Sequence, residues 1–275
     1  MKTEKEFYLL IEKLNRKYAS STQNYKYKNK NNFTIDNDQV FKIRESIKKH
    51  STFLQSINTY TVFDNDGNKL SCSSKKITGR KEGSRNIAKM EHDNYRYELF
   101  EMDSGVLIPW HLLDHFALYK EQQEARYEEY IQKQIALDML QIAWHGQSIA
   151  PNTTADDLSD VNKGWIQSLA EQRSRGFLTE GSKKTGTIKV FGENADYSNL
   201  DQLALELRQA IDYRHQQRND LVFLVGYELV AKENTPIFQQ AGIAHKNALS
   251  PHYLANNFGG MPTIIPPNFP KKKVQ

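Results

Sequence analysis

The residues best suited to chemistry are two histidines and an aspartate near the middle of the chain. His111 and His115 stand four residues apart, one turn apart on the same face of a helix, with Asp114 beside them. This spacing can chelate zinc and is the feature that favours a small hydrolase or nucleic-acid-modifying enzyme. Two histidines supply only half a ligand set, and no glutamate occupies the general-base position. Exposed side chains at a helix entrance are therefore the simpler interpretation.

Other catalytic motifs are incomplete. Residues 181–186, GSKKTG, begin like a phosphate-binding loop, but Thr187 stands where that motif has lysine. The sequence contains no GxSxG to hold a nucleophilic serine on a strained turn. Cys72 is the only cysteine, so no disulfide can form within the chain, and neither a zinc finger nor a redox pair can be built. We predict that the protein is not an enzyme and needs no metal or cofactor.

Charged residues form two clusters of opposite sign. Residues 69–89 carry seven bases against one acid, Glu82, and nothing there could form a core. The bases are Lys69, Lys75, Lys76, Arg80, Lys81, Arg85 and Lys89. The second cluster, Glu121, Glu124, Glu128 and Glu129, lies on the polar middle of a predicted helix. A solvated or partner-facing surface explains these glutamates better than paired catalytic carboxylates.

Composition limits the class of protein further. The 275 residues are 38% hydrophobic and 11% aromatic, which favours thin core layers, large polar surfaces and partner chains. The net charge of +4, from 37 bases and 33 acids, is too small to name nucleic acid as the partner by itself. No aliphatic or aromatic run is longer than five residues, the length of the run at 221–225, which is far too short to span a membrane. We expect synthesis in a reducing cytoplasm without a signal peptide.

The first hundred residues predict an arm followed by a long hairpin. Helical periodicity is present at residues 7–18 and again from Val40 to Ile47. Between them, residues 20–32 are rich in Lys, Asn and Tyr, and serve either as a solvated tether or as a nucleic-acid contact. From 59 to 102 the apolar period becomes alternating, with DNDG at residues 64–67 as a tight turn. A basic hairpin of this length needs a neighbour to lie on.

The remainder predicts a long helix and then alternating helices and strands. Pro109 is suited to open a helix, and no Gly or Pro follows until Gly146, which predicts either one long helix or two nearly collinear ones. Its predicted stripe in the second half is Tyr127, Tyr130, Ile131, Gln134, Ile135 and Ile142.

Beyond residue 160 we expect a helix anchored by Trp165, a short strand at 188–191, a helix from Leu200 entered through Ser198, and a strand at 221–225 buried on both faces. Prolines at 262, 266, 267 and 270 exclude a central strand or helix at the end.

Several short strings along the chain are distinctive when taken together. They are Phe33-Thr34-Ile35, Ser51-Thr52-Phe53-Leu54 with Ile57-Asn58, DVNKGWIQ at 160–167, DYSNLD at 196–201, DLVFLVG at 220–226, and GGMP at 259–262 with PNFP at 267–270. These strings resemble the major capsid protein of contractile-tailed phages of the Peduovirus type, and they occur in family order across nearly the whole chain.

The resemblance implies an α+β fold, the capsid fold shared by tailed phages and herpesviruses. Its parts would be an N-terminal arm at 1–58, an extended loop at 59–104, a peripheral domain with a spine helix at 105–160, and a partial axial domain at 161–275. In that fold the extended loop lies across the neighbouring subunit. We therefore expect Lys75, Lys76, Arg80, Lys81 and Arg85 to dock near Glu121, Glu124, Glu128 and Glu129 of the next copy.

The resemblance also implies the function and the partners. The chain would self-assemble as hexamers and pentamers into an icosahedral shell, made in the bacterial cytoplasm, around phage DNA held by non-specific charge. A scaffold and a maturation protease that trims the arm would take part. The family continues past the PNFP string, so the sequence is either a fragment or a naturally shortened relative. In the second case, a satellite or degraded prophage product could co-assemble with a helper capsid or interfere with it.

Overall fold

The computed structural model describes most of the chain in segments. They are residues 37–60, 64–68, 96–107, 123–172, 186–244 and 257–270, with shorter pieces at 62, 78–80, 82–85, 87, 109, 178 and 180–181. Residues 57–105 form one compact unit, and the segments on either side form another. The helix predicted at 7–18 and the tether at 20–32 lie outside the described residues.

The first helices described in the larger unit are α1 (Asn37–Lys49) and α2 (Thr52–Ser56). They bury Ile47, Phe53 and Leu54, so the helix predicted around residues 40–47 is confirmed. The Ser51 hydroxyl accepts a hydrogen bond from the Leu54 backbone N–H at 3.3 Å and caps α2.

The smaller unit contains an antiparallel pair, β1 (Asp66–Asn68) and β2 (Arg96–Glu98). The prediction of a turn at 64–67 is therefore wrong in part, because Asp66 and Gly67 pair with Glu98 and Tyr97. Glycine suits this position because the Tyr97 ring lies over it. A Cβ on Gly67 would be only 2.6 Å from the Tyr97 hydroxyl oxygen.

The long helix α3 (Gln123–His145) has 23 residues and is about 34 Å long. Its buried residues are Ala136, Leu140 and Trp144, spaced four apart. The predicted stripe is wrong in part. Tyr130 is 65% exposed and Gln134 is exposed, whereas Tyr127, Ile131, Ile135 and Ile142 are half-buried beside the fully buried face. Small Ala136 made that face hard to recognise in the sequence. Pro109 does not lie within a helix.

A turn-rich loop leads from α3 to α4 (Trp165–Gln172), as predicted. The Asp160 carboxylate holds this loop by accepting the Thr154 and Ala155 backbone N–H groups at 2.7 and 3.1 Å. Where the chain returns to α3, the Gly164 N–H donates to the Gly146 carbonyl at 2.9 Å. A Cβ on Gly164 would be 2.5 Å from the Ala143 carbonyl oxygen, so the crossing requires glycine.

The next helix, α5 (Leu200–Ala210), begins at the predicted residue, but its N-cap lies one residue later than predicted. Its N-cap is Asn199, whose side chain accepts the Gln202 backbone N–H at 2.8 Å. Ser198 instead donates its hydroxyl to the Gln202 side chain at 3.0 Å. The strand predicted at 188–191 is wrong, because only a single bridge joins Val190 to Tyr197.

Three short strands, β3 (Phe223–Leu224), β4 (Asn257–Phe258) and β5 (Met261–Ile264), form a mixed sheet in the order β3-β5-β4. Phe223 and Val225 are buried, but Val222 is 43% exposed, so the prediction of burial on both faces is wrong. The α6 helix (Tyr227–Ala244), which follows β3, was not predicted, and Pro236 in its interior hides it in the sequence.

The expectation that the terminal prolines exclude a central strand is also wrong. Pro262 lies in β5, the middle strand, opposite Asn257. Gly259 and Gly260, both at positive φ, form a two-residue hairpin turn, which makes Phe258 and Met261 the hydrogen-bonded closing pair. Pro262 then needs no N–H toward β4, and pairing with β3 starts at Thr263. Its missing donor is therefore tolerated.

Candidate assembly surfaces

Aromatic side chains from four segments meet at one end of α3. We call Phe53, Trp144, Trp165 and Phe269 the aromatic junction. The Trp144 ring meets the rings of Trp165 and Phe269 edge-on, with centroids 4.7 Å apart in both pairs, and lies 5.6 Å from that of Phe53. Such edge-to-face pairs add to the stability that burial provides. The junction thus joins α2, α3, α4 and the segment after β5.

The residues beside Phe269 strengthen this attachment. The Asn268 side-chain amide donates to the Leu137 carbonyl at 3.1 Å, and the His145 ring N–H donates to the Asn268 carbonyl at 2.8 Å. Asn268 has φ of 57°, a left-handed conformation that asparagine adopts more readily than most residues. The PNFP string therefore attaches the segment that follows β5 to α3.

The predicted interface residues are described only in part. Lys75, Lys76, Lys81 and Glu121 lie outside the described residues. Arg80 and Arg85 are exposed in the smaller unit. Glu124 lies in the first turn of α3, Glu128 is half-buried and Glu129 is exposed. The docking contact would form between copies, so it stays a prediction.

Trp165 has two environments at once. Its ring packs on Trp144, yet the residue is 41% exposed. It is therefore placed both to hold α4 on α3 and to present apolar surface, and its role as an anchor stays a prediction.

The DYSNLD string sits at the entrance to α5. Tyr197 is buried, and burial together with its hydrogen bond to the Glu206 carboxylate raises the pKa of its hydroxyl to about 12. The Asp201 carboxylate accepts the Gly259 backbone N–H at 2.8 Å, which ties α5 to the β4–β5 turn. Each polar side chain of the string is thus engaged in holding the fold.

Residues 211–220, which connect α5 to β3, form a surface that the sequence analysis did not single out. Arg214 and Asp212 are ion-paired at 2.7 Å, and Arg218 is ion-paired with Asp220. Hydrogen bonding from these arginines lowers the pKa of both carboxyl groups, that of Asp220 to about 2. We call residues 211–220 the α5–β3 loop.

The described residues show neither a metal site nor a helix that could span a membrane. In the described segments no group of three or more His, Cys, Asp or Glu side chains is arranged to hold a metal ion. The HLLDH pair, His111 and His115, lies outside them. No helix in the described part of the chain is long and apolar enough to cross a membrane.

Nearly the whole sequence matches a known protein family. The sequence model of the phage major capsid protein P2 family matches residues 7–275. The chain belongs to the P2 family of phage major capsid proteins. The resemblance of the sequence strings is therefore confirmed, and with it the role of a structural subunit of a virion capsid. The family is structural rather than enzymatic, and its members assemble as oligomeric shells.

A solved structure agrees with this assignment. The chain is similar to a chain of the satellite phage P4 procapsid including size determination (Sid) protein, with a TM-score of 0.69 and 23% identity. The match covers 88% of this chain and 76% of the other. It shows a phage capsid fold with mixed helices and strands. No curated protein sequence matches the chain.

Proposed function

We propose that this P2-family protein is the major capsid subunit of a phage, and that its copies form hexamers and pentamers of an icosahedral shell around DNA. The observation that carries the proposal is the family match over residues 7–275. The capsid fold supports it, since that fold is built to tile a closed surface.

The parts of the fold would divide this work. Residues 1–58 would form an arm, 59–104 an extended loop, 105–160 a peripheral domain with α3 as its spine, and 161–275 an axial domain. Support comes from the separate compact unit at 57–105 and from the length of α3, about 34 Å.

Neighbouring copies would hold each other through opposite charge. Lys75, Lys76, Arg80, Lys81 and Arg85 of one copy would lie near Glu121, Glu124, Glu128 and Glu129 of the next. The exposure of Arg80, Arg85 and Glu129 supports this, because unburied charges are available to a partner. Each exposed pair contributes only about 0–1 kcal/mol, so the effect depends on repetition around the shell.

Other partners would act during assembly in the bacterial cytoplasm. A scaffold would set the curvature, a maturation protease would trim the arm, and packaged DNA would contact the inside through non-specific charge. None of these steps requires a bound metal or cofactor.

The test is whether the purified protein assembles. We expect shells, rings or large oligomers by size-exclusion chromatography and negative-stain microscopy. A monomer that persists at every protein concentration, and in the presence of a co-expressed scaffold, contradicts the proposal.

A second function is co-assembly with, or interference with, a helper capsid. The likeness to a chain of a satellite-phage procapsid supports it. Co-expression with a helper's capsid protein separates the two functions. Mixed particles, or fewer helper particles, from a chain that forms none alone would favour the second.

A further inference from the structure

The α5–β3 loop is held rigid from within by polar contacts. The Arg208 guanidinium donates to the Gln216 carbonyl at 2.6 Å and reaches the Arg218 and Gly259 carbonyls at 3.4 Å each. The Gln216 side chain donates to the carbonyls of Gln209 and Ile211, both at 2.8 Å. A loop fixed in this way loses little conformational entropy when it binds a partner.

The rigid loop presents side chains of the kinds that dominate subunit contacts. Tyr213 is 77% exposed, and the Arg214 guanidinium lies 5.8 Å from the centre of its ring. Ile211, the first residue of the loop, and Val222, two residues beyond its end, are exposed as well. Exposed tyrosine and arginine on a preorganised surface are typical of binding hot spots.

Composition around the loop points the same way. Residues 190–231 contain no lysine, although the chain has 26 of them, while three of its eleven arginines stand at 208, 214 and 218. Protein interfaces are enriched in tyrosine and arginine and depleted in lysine. This stretch therefore differs from the lysine-rich remainder of the surface in the direction expected of an interface.

The charge of the loop favours a second copy of the protein over nucleic acid as its partner. Asp212 and Asp220 balance Arg214 and Arg218, so the loop carries no net charge with His215 neutral. A surface for nucleic acid needs an excess of positive charge. Each loop also carries both members of its two ion pairs, so a second copy could exchange partners with it, Asp212 of one with Arg214 of the other.

We propose that the α5–β3 loop, with Tyr213 and Arg214 at its centre, packs against another copy of this chain in the assembled shell. The neighbouring Gly259–Gly260 turn belongs to the same surface. β3 and β5 are parallel and both start at this end of the sheet, and Arg208 bonds to the turn. The inference rests on the proposed shell function and assigns one of its contacts.

The experiment compares two matched double variants of the full chain. Tyr213→Ala with Arg214→Ala alters the loop. Tyr227→Ala with Arg44→Ala removes the same residue types elsewhere, from an exposed tyrosine on α6 (69% exposed) and an exposed arginine on α1. We expect the assembled fraction, measured by sedimentation velocity, to fall about tenfold in the loop variant only. Both melting temperatures should stay within about 2 °C of the parent.

A second loop variant guards against misfolding. Tyr213→Glu leaves Arg208 and both ion pairs in place and should reduce assembly to the same degree without lowering the melting temperature. If both loop variants lose assembly only together with a large fall in melting temperature, the loop acts in folding and the inference is wrong.

The remaining outcomes separate the inference from the proposed function. A loop variant that assembles like the parent overturns the inference and leaves the shell function intact. Lost affinity for a fluorescent duplex DNA, with assembly unchanged, would assign the loop to nucleic acid and also overturn it. A parent that never assembles contradicts the shell function and the inference together.

Discussion

At the scale of single residues, backbone crossings and paired charges carry the specific constraints of this fold. Gly146 and Gly164 let two stretches of backbone pass so closely that the Gly164 N–H bonds to the Gly146 carbonyl. The paired carboxylates of the α5–β3 loop are held ionised by adjacent arginines. A substitution at either glycine adds a Cβ to the crossing, and a substitution at either arginine removes the hydrogen-bond donor of an ion pair.

Gly164→Ala should lower the free energy of unfolding by about 1–3 kcal/mol, because the new methyl group would meet the Ala143 and Ile142 carbonyl oxygens. Urea denaturation followed by tryptophan fluorescence measures this, since Trp144 and Trp165 lie close by. Gly105→Ala is the control, because no atom lies within 4 Å of its Cβ position. Equal stability of the two variants would show that the backbone at the crossing shifts to accommodate the methyl group without a loss of stability.

The loop carboxylates predict a specific pH response. The pKa of Asp220 is lowered to about 2, chiefly by hydrogen bonding from Arg218, against about 3.9 in an unfolded chain. A lowered pKa contributes stability above the unfolded value, and this is lost as pH falls through the folded value. Carbon NMR of the carboxyl groups should show Asp220 titrating near the lowered value and Arg218→Gln returning it toward the ordinary one. An unshifted carboxyl in the parent would contradict the ion pair.

At the scale of elements, contacts between distant segments determine which helix face is buried. The aromatic junction gathers α2, α3, α4 and residues 265–270 around Trp144. Glu233 of α6 reaches the first turn of α5, where its carboxylate accepts the Leu200 N–H at 2.9 Å. Helix ends and the sheet are thus tied by a few polar contacts around thin apolar layers.

Phe269→Ala should destabilise the protein by about 3–5 kcal/mol, because it removes a buried ring from Trp144 and leaves a cavity. Chemical denaturation gives the magnitude, and hydrogen exchange should show loss of protection in residues 265–270. Phe41→Ala, which removes an exposed phenylalanine from α1, should change stability by less than about 0.5 kcal/mol. Similar losses in both variants would mean that the junction is not specific.

The cap of α5 gives a second test at this scale. Asn199→Ala should cost about 1 kcal/mol, since it frees the Gln202 N–H. Ser198→Ala should cost less, because the Ser198 hydroxyl bonds only to an exposed side chain. Thermal unfolding of the two variants measures the difference. A larger loss of stability in the Ser198→Ala variant would instead support Ser198 as the N-cap, as predicted from the sequence.

At the scale of the whole molecule, the proposed shell would be held together by many weak contacts repeated by symmetry. The basic residues at 69–89 and the glutamates of the long helix are proposed to form one such set. Exposed ion pairs are screened over about 8 Å at physiological salt, so their effect should depend on ionic strength.

Changing Lys75, Arg80 and Arg85 together to glutamate should weaken assembly and make the assembly that remains sensitive to salt. Variants with a single reversal should assemble like the parent. Light scattering of assembling protein across a salt series measures this. Changing Glu124, Glu128 and Glu129 to lysine in the same chain should partly restore assembly. A triple reversal that assembles like the parent at low and high salt would rule out docking by charge.

Part of the local structure, and the family, could be recognised from the amino-acid sequence alone. Helices α1, α4 and α5 could be predicted because their apolar residues recur at a helical period, and hydrophobic periodicity is a local property. The family strings could be recognised for the same reason, since each is short and contiguous. The hairpin of the smaller unit was predicted, but not its register.

Which surfaces are buried, and which distant residues contact each other, depends on how the elements pack in three dimensions. The face of α3 that is buried follows from Phe53, Trp165 and Phe269, which arrive from far along the chain. Pro262 can lie in a central strand because the hairpin register leaves its position without need of an N–H, which a proline count cannot show. The α5–β3 loop was missed because carbonyl groups, which carry no sequence signal, bind Arg208 and fix its shape.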